Sequence, residues 1–239
     1  MQIIPVKCLT DNYAYIIVNS ISKIIGVVDP SEAKPINYFL KKKKLKLNYI
    51  LNTHHHYDHV GGNLELKKEH GAKIVGFEGD KHRIPGIDIT LKNNEKWIFG
   101  NSEVKILHIP GHTLGHICFF FEKEKIAFTG DTLFSLGCGK IFEGTHKQMF
   151  ESLNKLKKLP LDTKIYCGHE YTLKNSMFCK KHEENNKNLK KKIIEIEHKL
   201  KNNLPTIPST IGEELACNIF LRAKNLEDFS KLRDLKDNF

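Results

Sequence analysis

Between residues 53 and 59 the chain reads Thr53-His54-His55-His56-Tyr57-Asp58-His59. The apolar run Tyr49–Thr53 before it predicts a strand. Side chains two apart on a strand share a side, so His54 and His56 leave its end together and can grip one ion. His55 points the other way. Asp58 and His59 then open the turn that Gly61-Gly62 permits before the next helix, where they can face a second ion. A chain that gathers three imidazoles and a carboxylate in this way has to bring further donors to the same end of its strands.

Those donors recur. Pro110-Gly111-His112-Thr113 follows the run Val104–Ile109, Thr129-Gly130-Asp131-Thr132 follows Ile126–Phe128, and Cys167-Gly168-His169-Glu170 follows Ile165–Tyr166. Each sets one ligand-type residue beside a glycine at a predicted strand end. One such turn alone would carry little, because a His or Asp in a turn is usually only a turn residue. Together with the first run they give His54, His56, His59, His112, His169, Asp58 and Asp131, with no thiolate. That set suits borderline to hard divalent ions such as Zn, Fe or Mn and can fill two adjacent sites with one carboxylate bridging. Metal sites of this type make a nucleophile of water. The remaining histidines lack this glycine-flanked setting, although His116 lies four residues beyond His112.

The 239 residues suffice for one large domain or two unequal ones. Strand runs interspersed with helices near 34–44, 63–70 and 146–159 predict sheets covered by helices up to about residue 170. Beyond it the strand signal ends. Leu189, Ile193, Ile196 and Leu200 form one stripe of an amphipathic helix, with Glu195 and Lys199 paired on its wet side. Pro205 and Pro208 cannot continue that helix. Ser209 or Thr210 can cap another running to about Lys224, with Glu213 at capping-box spacing from Thr210. A last helix should turn Phe229, Leu232 and Leu235 inward. The expectation is an α+β metal-binding domain over 1–169 and a small all-helical one over 170–239.

The charge and cysteine patterns restrict the partners. The net charge of +10 comes mostly from lysine, with clusters at Lys41–Lys44 and Lys190–Lys192. Aromatic residues are not interleaved with them as base stacking requires, so solvated helix faces are expected and no nucleic-acid partner. No run approaches the roughly 18 apolar residues of a membrane span. The first residues lack a basic start, an apolar stretch and a small-residue cleavage site. A cytoplasmic protein without a membrane partner is expected. The six cysteines form no C-x-x-C pair and are expected as buried free thiols.

Taken in order, these motifs resemble the metallo-β-lactamase fold superfamily and, within it, the glyoxalase II family of hydroxyacylglutathione hydrolases. The resemblance runs from Leu9-Thr10-Asp11-Asn12-Tyr13 through the ligand run and Val60-Gly61-Gly62-Asn63. It includes Pro110–His116, Thr129–Phe134 and Gly137-Cys138-Gly139-Lys140. It continues through Cys167–Thr172 and Pro205–Thr210 and ends at Arg233-Asp234-Leu235-Lys236. The ligand run is shared across the superfamily; the stretches around Lys140, Tyr171 and the last helix are those particular to glyoxalase II.

The resemblance implies an αββα sandwich followed by a helical, glutathione-binding domain. It assigns His54, His56 and His112 to one metal and Asp58, His59 and His169 to the other, with Asp131 bridging. The cofactor implied is a pair of divalent ions, zinc first, with iron or manganese as alternatives. Asp58, His59 and Asp131 would serve catalysis through that pair. The substrate implied is the thioester S-D-lactoylglutathione, hydrolysed to glutathione and D-lactate by water activated between the metals. Lys140, Arg233 and Lys236 would hold its glycine carboxylate and Tyr171 its peptide backbone. After Lys140 the family often carries an aromatic pair ending in tyrosine, whereas this chain has Ile141-Phe142, a ring without the hydroxyl. Two other chemistries on the same scaffold stay open: a one-iron persulfide dioxygenase and a nuclease. A monomer is expected, with a dimer as the alternative.

Overall fold

The computed structural model describes residues 1–239. It contains two compact units, Met1–His108 with Gly115–Glu124, and Ile109–Leu114 with Lys125–Phe239.

The first unit begins with β1 (Gln2–Cys8), β2 (Asn12–Asn19) and β3 (Ile24–Val28), then α1 (Ala33–Lys43), β4 (Tyr49–Leu51), α2 (Tyr57–Val60) and α3 (Asn63–His70). β5 (Lys73–Phe77) and β6 (Ile89–Leu91) complete a six-stranded sheet in sequence order. β1, β2 and β3 pair antiparallel, whereas β3, β4, β5 and β6 pair parallel. Parallel neighbours require a crossover, which α1 supplies between β3 and β4, and α2 with α3 between β4 and β5. α1 buries Ala33, Ile36 and Leu40 and ends where Lys44 turns left-handed, its N–H bonded back to Leu40 and Lys41. Ile36 and Leu40 join Ile16, Val27, Ile50, Leu66 and Ile74 in one apolar cluster. An antiparallel meander of β7 (Lys96–Phe99), β8 (Ser102–His108) and β9 (Ile117–Phe121) follows. It meets the sheet through Tyr49, whose ring lies 5.1 Å from Trp97 edge-on and 5.9 Å from Phe99.

The second unit contains β10 (Ile126–Gly130), a hairpin of β11 (Leu133–Phe134) and β12 (Gly137–Cys138), α4 (His146–Leu156) and β13 (Lys164–Cys167). β13 runs parallel to β10. α5 (Thr172–His182), α6 (Lys187–Lys201), β14 (Ser209–Thr210), α7 (Ile211–Cys217), α8 (Ile219–Arg222) and α9 (Leu226–Asp237) complete the chain. Phe178, Phe220 and Phe229 are buried; Phe178 stacks on Phe220 with centroids 5.7 Å apart, and Phe220 meets Phe229 edge-on at 6.1 Å. The six cysteines are free and buried, as expected. No helix is long and apolar enough to cross a membrane.

The helical segment departs from expectation in three places. α5 had no stripe to announce it: its apolar residues are few and the side chains it buries include Thr172, Asn175 and Ser176. The helix that Thr210 caps, through the expected box with Glu213, stops at Asn218, where the backbone is extended and the side chain caps Phe220. In α9 Phe229 points inward, but Leu235 is exposed and Arg233 is buried. The backbone carbonyls available to a guanidinium there outweigh the apolar preference of the leucine.

Candidate metal centre

The donor residues sit beyond the carboxyl ends of strands, where open α/β sheets gather their ligands. Asp29 follows β3, His54 to His59 follow β4, His112 follows β8, Asp131 follows β10 and His169 follows β13. β4 ends at Leu51, two residues earlier than expected, so His54 and His56 lie on the connecting loop with rings 4.8 Å apart.

In the first unit the organising group is Asp29, buried at the end of β3 with a left-handed φ of 48°. Its Oδ1 accepts the Thr53 N–H at 2.8 Å, and its Oδ2 accepts the Thr53 hydroxyl at 2.6 Å. The same Oδ2 lies 3.1 Å from His59 Nδ1. A carboxylate only accepts, so Nδ1 carries the proton and the lone pair of His59 is on Nε2. The Thr53 hydroxyl, having donated to Asp29, accepts from His54 Nδ1 at 3.0 Å and leaves the His54 lone pair on Nε2 as well. Asp29, His54 and His59 also form a donor group within 4.8 Å, but the oxygens of Asp29 are taken by these protons. It fixes the two imidazoles rather than offering a donor of its own.

Asp58 is steered by Asn12, which donates to both its carbonyl (3.1 Å) and its Oδ2 (2.9 Å). That Oδ2 faces His59 Nε2 at 3.5 Å. Two lone pairs thus confront each other, an arrangement that a bound cation resolves. Asn52 donates to the carbonyl of His59 at 3.1 Å and locks α2 to Asn63. Gly61 and Gly62 form the turn expected of them, between α2 and α3, with φ values of −60° and −84°. They are needed for space, since a Cβ on Gly61 would stand 2.4 Å from the Ser31 carbonyl oxygen. His55 turns to Asp80 at 3.2 Å, and Arg83 completes that cluster. Burial alone would raise the Asp80 carboxyl, but hydrogen bonds from His55 and Arg83 outweigh it and hold it below its usual range.

The second unit repeats the arrangement. His112 Nδ1 donates to the Lys140 carbonyl at 2.7 Å, which puts the His112 lone pair on Nε2, 3.6 Å from Asp131 Oδ2. His169 Nε2 lies 3.2 Å from the same oxygen. One buried carboxylate oxygen therefore faces two imidazoles, as a bridging ligand would. Asp131 leaves the strand through a register shift between Phe128 and Gly130. Gly139 packs so closely that a Cβ there would meet the Asp131 carbonyl oxygen at 1.8 Å.

The other expected residues lie around these. Tyr171 stacks on His169 with centroids 4.7 Å apart, and the exposed Phe142 meets His112 edge-on at 5.2 Å. Lys140 is exposed and reaches over Phe142. Lys236 lies over the rings of Phe178 and Phe239; burial, then the charge of Arg233, lowers its pKa to about 8. Arg233 is buried, with Nη1 donating to the Cys138 carbonyl at 2.7 Å and Nη2 to Asp237 at 2.9 Å. Sequence reasoning gave no role to Asp29, Asn12, Asn52 or His116, the last of which is fully buried and stacked on His54 at 4.6 Å. The H-x-x-x-H spacing of His112 and His116 was the signal for the last of them.

A chain with these donors at strand ends is matched over residues 11–169 by the family model for the metallo-beta-lactamase superfamily, and over 170–239 by that for the hydroxyacylglutathione hydrolase C-terminus. A hydroxyacylglutathione hydrolase from Pelagibacter ubique (strain HTCC1062) is 63% identical over 239 residues, 100% of both chains. Among solved structures, ETHE1 from Myxococcus xanthus aligns with TM-score 0.75 at 22% identity, covering 98% of this chain and 90% of its own. TTHA1623 in a di-iron-bound form aligns with TM-score 0.58 at 26% identity, covering 70% and 91%. The fold and donor set define a member of the metallo-β-lactamase superfamily, and the fold class is the α+β one expected, with a helical C-terminal region. Within that superfamily, the chain belongs to the hydroxyacylglutathione hydrolases.

Proposed function

We propose that this chain hydrolyses the thioester S-D-lactoylglutathione to glutathione and D-lactate at a dinuclear metal centre, the second step of methylglyoxal detoxification. The match of residues 170–239 to the hydroxyacylglutathione hydrolase C-terminus carries this reading, because the superfamily's metal domain alone serves many reactions.

The metal assignment is part of the proposal. When two cations are bound, His54, His56 and His112 would hold one and Asp58, His59 and His169 the other, with Asp131 shared between them. The donor chemistry supports it: the imidazoles of His59 and His112, held from behind through Nδ1, and that of His169 face carboxylate oxygens at 3.2 to 3.6 Å in the two units. When bound, a pair of divalent ions lowers the pKa of coordinated water toward neutrality and polarises a carbonyl oxygen. Zinc suits the nitrogen and oxygen donors, and the di-iron form of TTHA1623 makes iron the alternative.

The chain's own residues orient and bind. Asp29 keeps His59 directly and His54 through Thr53, and the Lys140 carbonyl keeps His112, in the tautomer that presents Nε2. Lys140 and Lys236 offer positive charge to the glycine carboxylate of glutathione. Arg233 acts from below by fixing the backbone of Cys138 and Gly139, and Tyr171 offers its hydroxyl to the peptide. The leaving thiolate has a pKa of about 8.5 and departs without a strong general acid, so no extra acid is demanded of the site. Residues 1–169 thus carry the metals and Lys140, and 170–239 the other glutathione contacts.

The test is a metal count on the purified protein beside an assay on S-D-lactoylglutathione. Two ions per chain and thioester hydrolysis are expected. One iron per chain with oxygen uptake on a glutathione persulfide would replace this reading, as would RNA cleavage without thioesterase activity.

A further inference from the structure

The hairpin of β11 and β12 turns through Ser135 and Leu136, and Leu136 has a φ of 57°. A branched residue in the left-handed region is held there at a cost of about 1 kcal/mol, so something outside the hairpin has to fix it. The C-terminal helices do so from every side. Glu214 of α7, fully buried, accepts the Leu136 N–H on Oε2 at 2.8 Å. Cys179 of α5 reaches the Leu136 carbonyl at 3.2 Å, and Asn175 donates to the Ser135 carbonyl at 3.1 Å. Asn218, where α7 gives way to α8, donates to the carbonyls of Phe134 (3.3 Å) and Gly137 (3.0 Å) and to Glu214 Oε2 (2.9 Å).

The held segment joins two parts of the metal centre. Asp131 lies two residues before β11. Beyond β12, Gly139 donates its N–H to the Thr132 carbonyl at 3.3 Å and abuts the Asp131 backbone. The next residue is Lys140, whose carbonyl fixes the His112 tautomer at 2.7 Å. Nothing about packing alone calls for a carboxyl here: an apolar side chain of the same volume would fill the space without the desolvation penalty. The carboxyl is where the hairpin needs an acceptor.

We propose that Glu214 and Asn218 are positioning residues for the metal centre, acting through the hairpin they hold to set Asp131 and the Lys140 carbonyl against His112. The inference rests on the reading of His112 and Asp131 as ligands. It assigns the helical region a task besides substrate binding, since its side chains shape the geometry of ligands they do not touch.

The experiment follows metal retention in the zinc-loaded full-length protein during chelator competition, with thermal unfolding recorded for each variant. Glu214→Leu is expected to fold and to lose metal 10- to 100-fold more readily, the range typical for loss of a group that orients a ligand. Glu214→Gln keeps an acceptor for Leu136 and should restore retention to within a few-fold. Asn218→Ser should lie between them. Folded Glu214→Leu and Asn218→Ser proteins that retain metal like wild type would overturn the proposal. So would failure of both to fold, because a group needed by the whole unit is not a positioning device. A wild-type metal count in His112→Ala would instead sink the ligand reading itself, and so separates the two failures.

Discussion

His59 Nδ1 stands 3.1 Å from Asp29 Oδ2, and the same carboxylate holds the backbone and hydroxyl of Thr53. One buried side chain thus fixes His59 directly and His54 through Thr53. Asp29→Ala should leave metal binding possible but weaker by about 10- to 100-fold, as for other groups behind ligating histidines. Asp29→Asn is a sharper probe. Its amide can turn an NH₂ toward His59 Nδ1, which favours the wrong tautomer. Competition against a chelator reads the affinity, and equal retention in wild type and both variants would remove Asp29 from this role.

Phe142 is 63% exposed and meets the His112 ring edge-on. Phe142→Tyr adds one hydroxyl at the rim of the proposed substrate site. A hydrogen bond to glutathione is worth about 1 kcal/mol net, roughly a fivefold change in binding. The expected result is a KM several-fold lower with kcat little changed, the signature of added uniform binding. Unchanged KM would place position 142 outside the contact surface.

Gly61 separates two opposing effects. Its φ of −60° is helical, so on propensity alone Gly61→Ala should stabilise by about 1 kcal/mol. The new Cβ would lie 2.4 Å from the Ser31 carbonyl oxygen and 3.1 Å from that of Tyr57. Both obstacles are backbone and cannot swing aside, and overpacking costs about 1–3 kcal/mol or more. The clash should win, and calorimetry should show a lower melting temperature for Gly61→Ala. A rise would mean that the loop after β3 gives way easily.

How much of this was legible in the sequence depended on whether the signal was local. Most strands between Gln2–Cys8 and Lys164–Cys167 announced themselves because apolar and β-branched runs ended in turn residues. The Thr210 capping box was equally plain, its two partners being three residues apart. β6, β11, β12 and β14 are two or three residues long and owe their existence to neighbours, so no window of sequence could carry them. α5 hid because polar side chains such as Asn175 are buried there for hydrogen bonding to a distant hairpin. The seven donor residues stood out by type and spacing. Asp29 did not, because its work is done across 24 and 30 residues of chain, on Thr53 and His59. Arg233 was expected, with Lys140 and Lys236, to hold a carboxylate of the substrate, and only the fold brings the Cys138 carbonyl to it.

Glu214 makes stability depend on pH in a predictable direction. Burial pushes its carboxyl up from 4.5 to about 7, with the donors around it pulling the other way. A pKa raised on folding means that the native state binds the proton more tightly than the unfolded chain does. The contribution is therefore complete below about pH 4.5 and is lost as pH rises through about 7, amounting to about 3 kcal/mol over that window. Other groups titrate there as well, so the informative quantity is a difference. Glu214→Gln is neutral throughout, and its stability relative to wild type should climb by about 2–3 kcal/mol between pH 5 and pH 8. Denaturant melts of both proteins at the two pH values give this directly. A difference that stays flat would show that the carboxyl ionises inside the fold as readily as outside it, the donors around it offsetting burial in full.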